Sequence, residues 1–348
     1  MAMRESLRGA MRALRAVALA FGFLGPLPVE GFAQDAAPTC PTGRDIRGDI
    51  DDTVRTAIAA KASEVPDGQG RLFRIERDGV EPSHLFGTMH LSDPRVLTLP
   101  GSAQTAFAAS RSLVIESTDI LDEAQMAVTL FSRPDLTSLP GDERLSTLVP
   151  ADRLETLRQT LTERGAPLGT VETLQPWFVA VMLAMPDCEM ARQARGEAVL
   201  DLALAERAQA AGKPVGGLES GLEQLEALAS LPRDLQVENL LAAVDLAPRL
   251  PDIFETMIAL YLEGAIASIT PTIEHLAPAG TNAQASAAIF ADYEARLIDR
   301  RNAVMAQRLG PKLEAGGVFA AVGALHLPGE RGLVALLRAN GWTVTRAD

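Results

Sequence analysis

The chain has 348 residues, 47% of them apolar and 22% charged, with a formal net charge of −13. That composition belongs to a globular protein long enough to bury a sizeable core, and it excludes general disorder. The acidic balance argues against nucleic acid and anionic membrane surfaces as partners.

The first 33 residues have the pattern of an export signal. Arg4, Arg8, Arg12 and Arg15 precede a short apolar run, Val17 to Leu24, which Pro26 and Pro28 end. Gly31-Phe32-Ala33 then offers small residues for cleavage after Ala33. Cleavage removes four Arg and two Glu and takes the net charge to −15. The expected location is periplasmic or secreted, with no stable membrane anchor after signal cleavage. Two cysteines, Cys40 and Cys188, form an expected disulfide in an oxidising compartment.

Residues 34–48 read as a flexible N-terminal segment, and residues 49–348 as a single domain. Asp51 to Glu64 has helical spacing. Arg71 to Gly79 alternates apolar and charged residues and closes on Asp-Gly, the pattern of a strand and a hairpin turn. His84-Leu85-Phe86-Gly87-Thr88-Met89-His90 comes next, an apolar strand that runs through a glycine into a histidine. Ala103 to Ser110 reads as a helix and Ser112 to Ser117 as a buried strand that ends at Glu116. Met126 to Leu130, Leu145 to Leu161, Trp177 to Met185 and Gly196 to Ala210 read as helices punctuated by prolines.

Val215 to Glu219 is another short apolar run ending in a carboxylate. Residues 221–275 are largely helical, 276–287 form a polar loop, and Phe290 to Leu309 form a long helix. Val318 to His326 then repeats the Gly-x-x-His device, 236 positions after the first. Leu333 to Ala339 is a helix and Trp342 to Thr345 a final strand. The fold class is therefore α/β. A mixed sheet built from both ends of the chain, residues 70–118, 213–219 and 317–346, carries a large helical insertion at about 120–212 and 221–310.

Four strand ends carry chemistry: His90, Glu116, Glu219 and His326. Sites of α/β proteins gather beyond strand ends. Two imidazoles and two carboxylates suffice to hold a divalent metal and activate a water. Arg300 and Arg301 fall on the apolar stripe of the Phe290–Leu309 helix, where a guanidinium needs a carboxylate partner or binds an oxyanion. Asp201 and Lys213 read as surface or capping residues, or as groups that support the site from behind its ligands, and His84 and His275 receive no role. No phosphate loop, HExxH helix, serine elbow or dinucleotide fingerprint is present.

At Leu85-Phe86-Gly87-Thr88-Met89-His90, Val114-Ile115-Glu116, Gly212 to Glu219, Arg300-Arg301-Asn302 and Val322 to Leu327, the chain resembles the TraB/GumN family, which includes Tiki-like proteases and pheromone-shutdown proteins. The resemblance implies a fold related to the erythromycin-esterase and ChaN-like group. It implies metal-dependent hydrolysis of a peptide or small amide or ester, with manganese, cobalt or zinc as the ion. By position His90 and His326 match the motif histidines and Glu116 the catalytic glutamate. With the reading of the strand ends, His90, His326 and Glu219 are the expected metal ligands, Glu116 a ligand or general base, and Arg301 a group that steadies the site or an oxyanion. A non-catalytic peptide-binding protein and a metal- or haem-binding protein are the other readings.

Overall fold

The computed structural model describes residues 43–276 and 294–348. The export signal, Cys40, most of the expected polar loop and the start of the Phe290–Leu309 helix lie outside those residues. Cys188 is not a free thiol.

Six strands form one mixed sheet: β1 (Leu72–Glu76), β2 (Ser83–Thr88), β3 (Ser112–Ser117), β4 (Val215–Glu219), β5 (Val318–Gly323) and β6 (Thr343–Arg346). Their order across the sheet is β4-β3-β5-β2-β1-β6. The first four in that row are parallel, and β1 runs antiparallel to both β2 and β6. Chain ends that are far apart in sequence thus lie side by side: Gly87 pairs with Val322 and Thr88 with Gly323.

The helices of the described residues include α1 (Asp52–Ser63), α2 (Gly101–Ala109), α3 (Pro176–Ala184), α4 (Leu200–Ala210), α5 (Gly221–Ala229), α6 (Arg233–Leu246), α7 (Leu250–Leu262), α8 (Arg300–Glu314) and α9 (Leu333–Ala339). Alternation along the strands feeds two apolar layers, one per face, as expected of a parallel sheet covered on both sides. Phe86, Leu113, Ile115 and Phe319 face the larger layer, which includes residues of α3, α4, α6 and α7. Leu85, Val114, Ala320 and Val322 face the smaller one, under α8 and α9. A third small cluster seats Ile46 and Ile50 on Ile253 of α7. The end of the segment read as flexible is therefore packed.

The helix expected from Gly196 begins only at Leu200, and three further boundaries differ from the sequence reading for a local reason. Leu145 to Leu161 is two helices, Leu145–Leu148 and Leu154–Glu163. Val149 is extended (ψ 135°) because Pro150 comes after it. α8 runs past Leu309 and through Pro311 to Glu314, because the buried side chain of Leu313 anchors its last turn. Both Gly-x-x-His runs leave the strand before the histidine: β2 stops at Thr88, and β5 stops at Gly323, where a 3-10 turn carries His326.

Candidate active site

Adjacent parallel strands all end on one edge of the sheet. Along that edge the ends of β4, β3, β5 and β2 deliver, in order, Glu219, Glu116, His326 and His90. A cavity of about 400 Å³ opens there, lined by His90, Glu116, Arg301 and His326 among others.

The two imidazoles approach the same carboxylate oxygen. His90 Nε2 and His326 Nε2 each lie 3.8 Å from Glu116 Oε1. Both rings are fixed from behind through Nδ1. His90 Nδ1 is 2.7 Å from Asp201 Oδ2, and Asp201 in turn accepts a bond from the Thr88 hydroxyl at 2.7 Å. His326 Nδ1 is 2.7 Å from the side-chain oxygen of Asn302, which is fully buried. Asn302 spends its amide on the Arg331 carbonyl, so its oxygen faces the ring. Oxygen acceptors at both Nδ1 atoms leave both Nε2 atoms directed at the cavity.

Glu116 is held ionised. Burial resists its charge, but Arg301, His326 and His90 together keep the carboxyl far below the usual range. Arg301 Nη2 donates to Glu116 Oε2 at 2.5 Å, and the Gly323 amide donates to Oε1 at 2.6 Å. The same guanidinium grips Glu219 through Nε (3.0 Å) and Nη2 (2.8 Å) and reaches the Leu297 carbonyl through Nη1. Burial, then the neighbouring charge of Glu116, pushes the Glu219 carboxyl upward while Arg301 opposes. Arg301 is thus a clamp between two buried carboxylates, with few N–H groups left for an oxyanion. Glu219 meets the cluster only through Arg301 and, at 3.5 Å, through Gln224.

The two motif glycines do different jobs. A Cβ on Gly87 would lie 2.7 Å from Leu327 Cδ1 and 3.0 Å from Ala324, so glycine lets β2 pack against the turn that carries His326. A Cβ on Gly323 would lie 3.1 Å from Glu116 Oε1, 3.4 Å from His326 Cδ2 and 3.5 Å from His90 Nε2. Glycine there keeps the space between the functional groups open. The loop beyond His90 is tied down as well. Glu189 accepts from the Ser92 amide and hydroxyl, and the Leu91 carbonyl accepts from the Leu200 amide.

The five residues that the sequence singles out, His90, Glu116, Glu219, Arg301 and His326, therefore meet in one network. Two further members differ from the sequence reading. Asp201 takes the supporting role and not the surface role that the sequence reading put first: it is buried, and it is the oxygen acceptor behind His90. Its signal is its place on the buried stripe of α4, with Leu200, Leu204, Ala205 and Ala208. Asn302 belongs to the Arg300-Arg301-Asn302 motif, but no pattern in the sequence pairs it with His326. Lys213 caps a helix: its ammonium donates to the carbonyls of Phe107 and Ala108 at the end of α2.

The chemistry of these donors fits a divalent cation. Two imidazoles anchored at Nδ1 and one ionised carboxylate oxygen face a common space, and 3.8 Å is near the spacing of two ligand atoms across one ion, roughly 3.4 Å for tetrahedral bonds. Their types suit an ion, but among the described residues no group of three His, Cys, Asp or Glu side chains, this one included, is placed so that it could hold a metal ion. Glu219, engaged by Arg301, is not presented as a ligand.

Fold and cluster together define a mixed α/β protein with a paired-histidine and carboxylate centre at the carboxyl ends of its parallel strands. The chain belongs to the TraB/PrgY/gumN family, which matches residues 71–346. It is similar to the protein named Metalloprotease TIKI2 of Danio rerio, with 29% identity over 311 residues, 76% of this chain and 58% of that one. It is also similar to Metalloprotease TIKI1 of Homo sapiens, with 27% identity over 352 residues, 88% of this chain and 67% of that one. The chain thus spans little more than half of the first relative and about two thirds of the second. No solved structure matches it. Among the described residues, no helix is long and apolar enough to cross a membrane.

Proposed function

We propose that the protein is a metal-dependent peptide hydrolase, exported by its N-terminal signal and working at the His90–Glu116–His326 cluster. The observation that carries this is the convergence of two Nδ1-anchored imidazoles on one ionised carboxylate inside a cavity. The names of the metalloprotease relatives support the same reading.

His90 and His326 would hold the ion through Nε2, with Glu116 Oε1 between them. A divalent ion supplies Lewis acidity toward a carbonyl and toward water. Glu116, kept ionised by Arg301 and the Gly323 amide, fits the part of anionic anchor better than that of a proton shuttle, because so acidic a carboxyl is a weak base. Asp201 and Asn302 orient the rings, and the rigid sheet edge fixes their separation.

The test is metal content together with peptide cleavage by the mature protein. Chelation is expected to abolish cleavage, and manganese, cobalt or zinc to restore it. His90→Ala and His326→Ala should each lower cleavage by about 100-fold or more. Unchanged cleavage in both variants would end the proposal.

One observation favours a second reading, peptide capture without turnover. No three protein side chains among the described residues are in place around an ion. A peptide recovered intact from the manganese-loaded protein would support capture.

A further inference from the structure

The cavity before His90 and His326 has a second character that the polar cluster leaves unexplained. At about 400 Å³ it lies within the range of small-ligand and side-chain pockets, about 300–1,000 Å³. Among its described lining residues the charged or ionisable groups are His90, Glu116, Asp201, Arg301, His326 and Tyr261, whose hydroxyl donates to the Gly87 carbonyl. Each is already committed. Asp201 serves His90 and Thr88, Arg301 serves Glu116 and Glu219, Glu116 serves Arg301 and the Gly323 amide, and His326 serves Asn302. Apart from the ion proposed at His90 and His326, a free ammonium or carboxylate terminus of a peptide finds no uncommitted counter-charge among these side chains, and burying it unpaired is costly.

The remaining wall carries the polar side chains of Thr88, Ser117, Gln224 and Tyr261 but is mostly hydrocarbon and thioether. Met89, Val181, Phe254, Met257, Ile298 and Leu325 line it, and none of them is fully buried. Leu325 is one of only three large apolar side chains left exposed among the described residues, and it sits one position before His326. Apolar surface kept wet in a concave site is recovered when an apolar group enters, and the thioethers of Met89 and Met257 adapt to its shape.

We infer that this wall binds an uncharged, apolar stretch in the interior of a peptide chain and sets the peptide bond beside it before His90 and His326. The inference rests on the proposed peptide-hydrolase reading of the same cavity and names its substrate class: internal sites flanked by Leu-, Met- or Phe-like side chains. Met257 on α7 and Leu325 at the rim select for them.

The experiment uses short fluorescein-labelled peptides, acetylated and amidated at their ends, that differ only in a central Leu-Leu, Asp-Asp or Lys-Lys pair. Binding to the metal-loaded mature protein is read by fluorescence anisotropy and cleavage by mass spectrometry. The Leu-Leu peptide is expected to bind roughly 10- to 100-fold more tightly than either charged one. Freeing its termini should bring no gain. Met257→Lys should weaken the Leu-Leu peptide and strengthen the Asp-Asp peptide. Leu325→Lys, at an already exposed position, carries the same comparison if the first variant fails to fold. Equal binding of all three peptides, tight binding only through a free terminus, or no binding at all overturns the inference. A Leu-Leu peptide that binds but is never cut upholds it while ending the hydrolase reading. Cleavage regardless of the central pair does the reverse.

Discussion

His326 Nδ1 lies 2.7 Å from the side-chain oxygen of Asn302, a residue with no solvent exposure whose amide donates to the Arg331 carbonyl at 2.9 Å. One carboxamide therefore sets the tautomer of the ring and ties α8 to the loop that precedes α9. Asn302→Leu removes acceptor and donor together, strands the buried Nδ1 of His326 and leaves the Arg331 carbonyl without its side-chain donor. It is expected to cost about 2–4 kcal/mol, read from the denaturant midpoint, together with most of the cleavage activity. Asn302→Asp keeps an acceptor but adds a negative charge beside the ring. It should retain the fold and raise the pKa of His326, which moves the acidic limb of the pH–rate profile upward.

Arg301 is the only cation that the described structure places between Glu116 and Glu219. Arg301→Met leaves two buried carboxylates facing each other and should cost about 3–5 kcal/mol in a denaturant titration. Arg301→Lys should recover only part of this, because one ammonium does not span both partners as a guanidinium does. Adding Glu219→Gln to Arg301→Met should restore much of the loss, since one of the two stranded charges is gone. An additive double-mutant cycle would show that the three groups do not act as a unit.

The sequence makes the contents of this site visible more readily than its arrangement. Apolar runs that end in His90, Glu116, Glu219 and His326 announce themselves locally, because a strand end is set by its own residues. The placement of β5 between β3 and β2 is not local, and nothing near Val318 says that Phe319 will pair with both Leu113 and His84. Arg301 is legible as a guanidinium that needs a carboxylate, though not as one that needs two. Asp201 is only half legible and Asn302 is opaque, for a physical reason. A short polar side chain on a helix reads as a cap or a surface group until the partner that compensates its burial is known.

Gly87 and Gly323 occupy matching places in the two Gly-x-x-His runs, yet alanine should act differently at each. Gly87→Ala drives a methyl group toward Leu327 and Ala324 and is expected to lose about 1–3 kcal/mol of stability. Gly323 has an ordinary backbone (φ −51°), so alanine is not strained there. Its methyl group instead enters the space between Glu116, His326 and His90. Gly323→Ala should therefore melt close to the parent while cleavage falls by about tenfold or more. A large stability loss at Gly323 with cleavage intact would contradict this division of roles.

The two histidines also predict how the stability of metal-stripped protein varies with pH. For His90, burial opposes the charge, but Asp201 and then Glu116 outweigh it and raise the pKa to about 9. Its contribution is complete below the unfolded value, near 6.5, and is lost as pH rises toward 9. For His326, burial comes first, with the charges of Arg301 and His90 acting in the same direction against Glu116, and the pKa falls to about 4. Between about 4 and 6.5 the unfolded chain binds the proton that the folded one refuses, so stability falls as pH falls through that window. His90 is one-third exposed at the cavity, so its limb should be the shallower one. Thermal unfolding of chelator-treated protein should therefore peak near pH 6.5. His326→Gln should flatten the acidic side, and His90→Gln the alkaline side. Saturating metal should steepen the acidic side, because protons compete with the ion for both Nε2 atoms. A profile unchanged by either substitution would show that the rings titrate alike in the folded and unfolded chains, contrary to the hydrogen bonds and ion pairs that surround them.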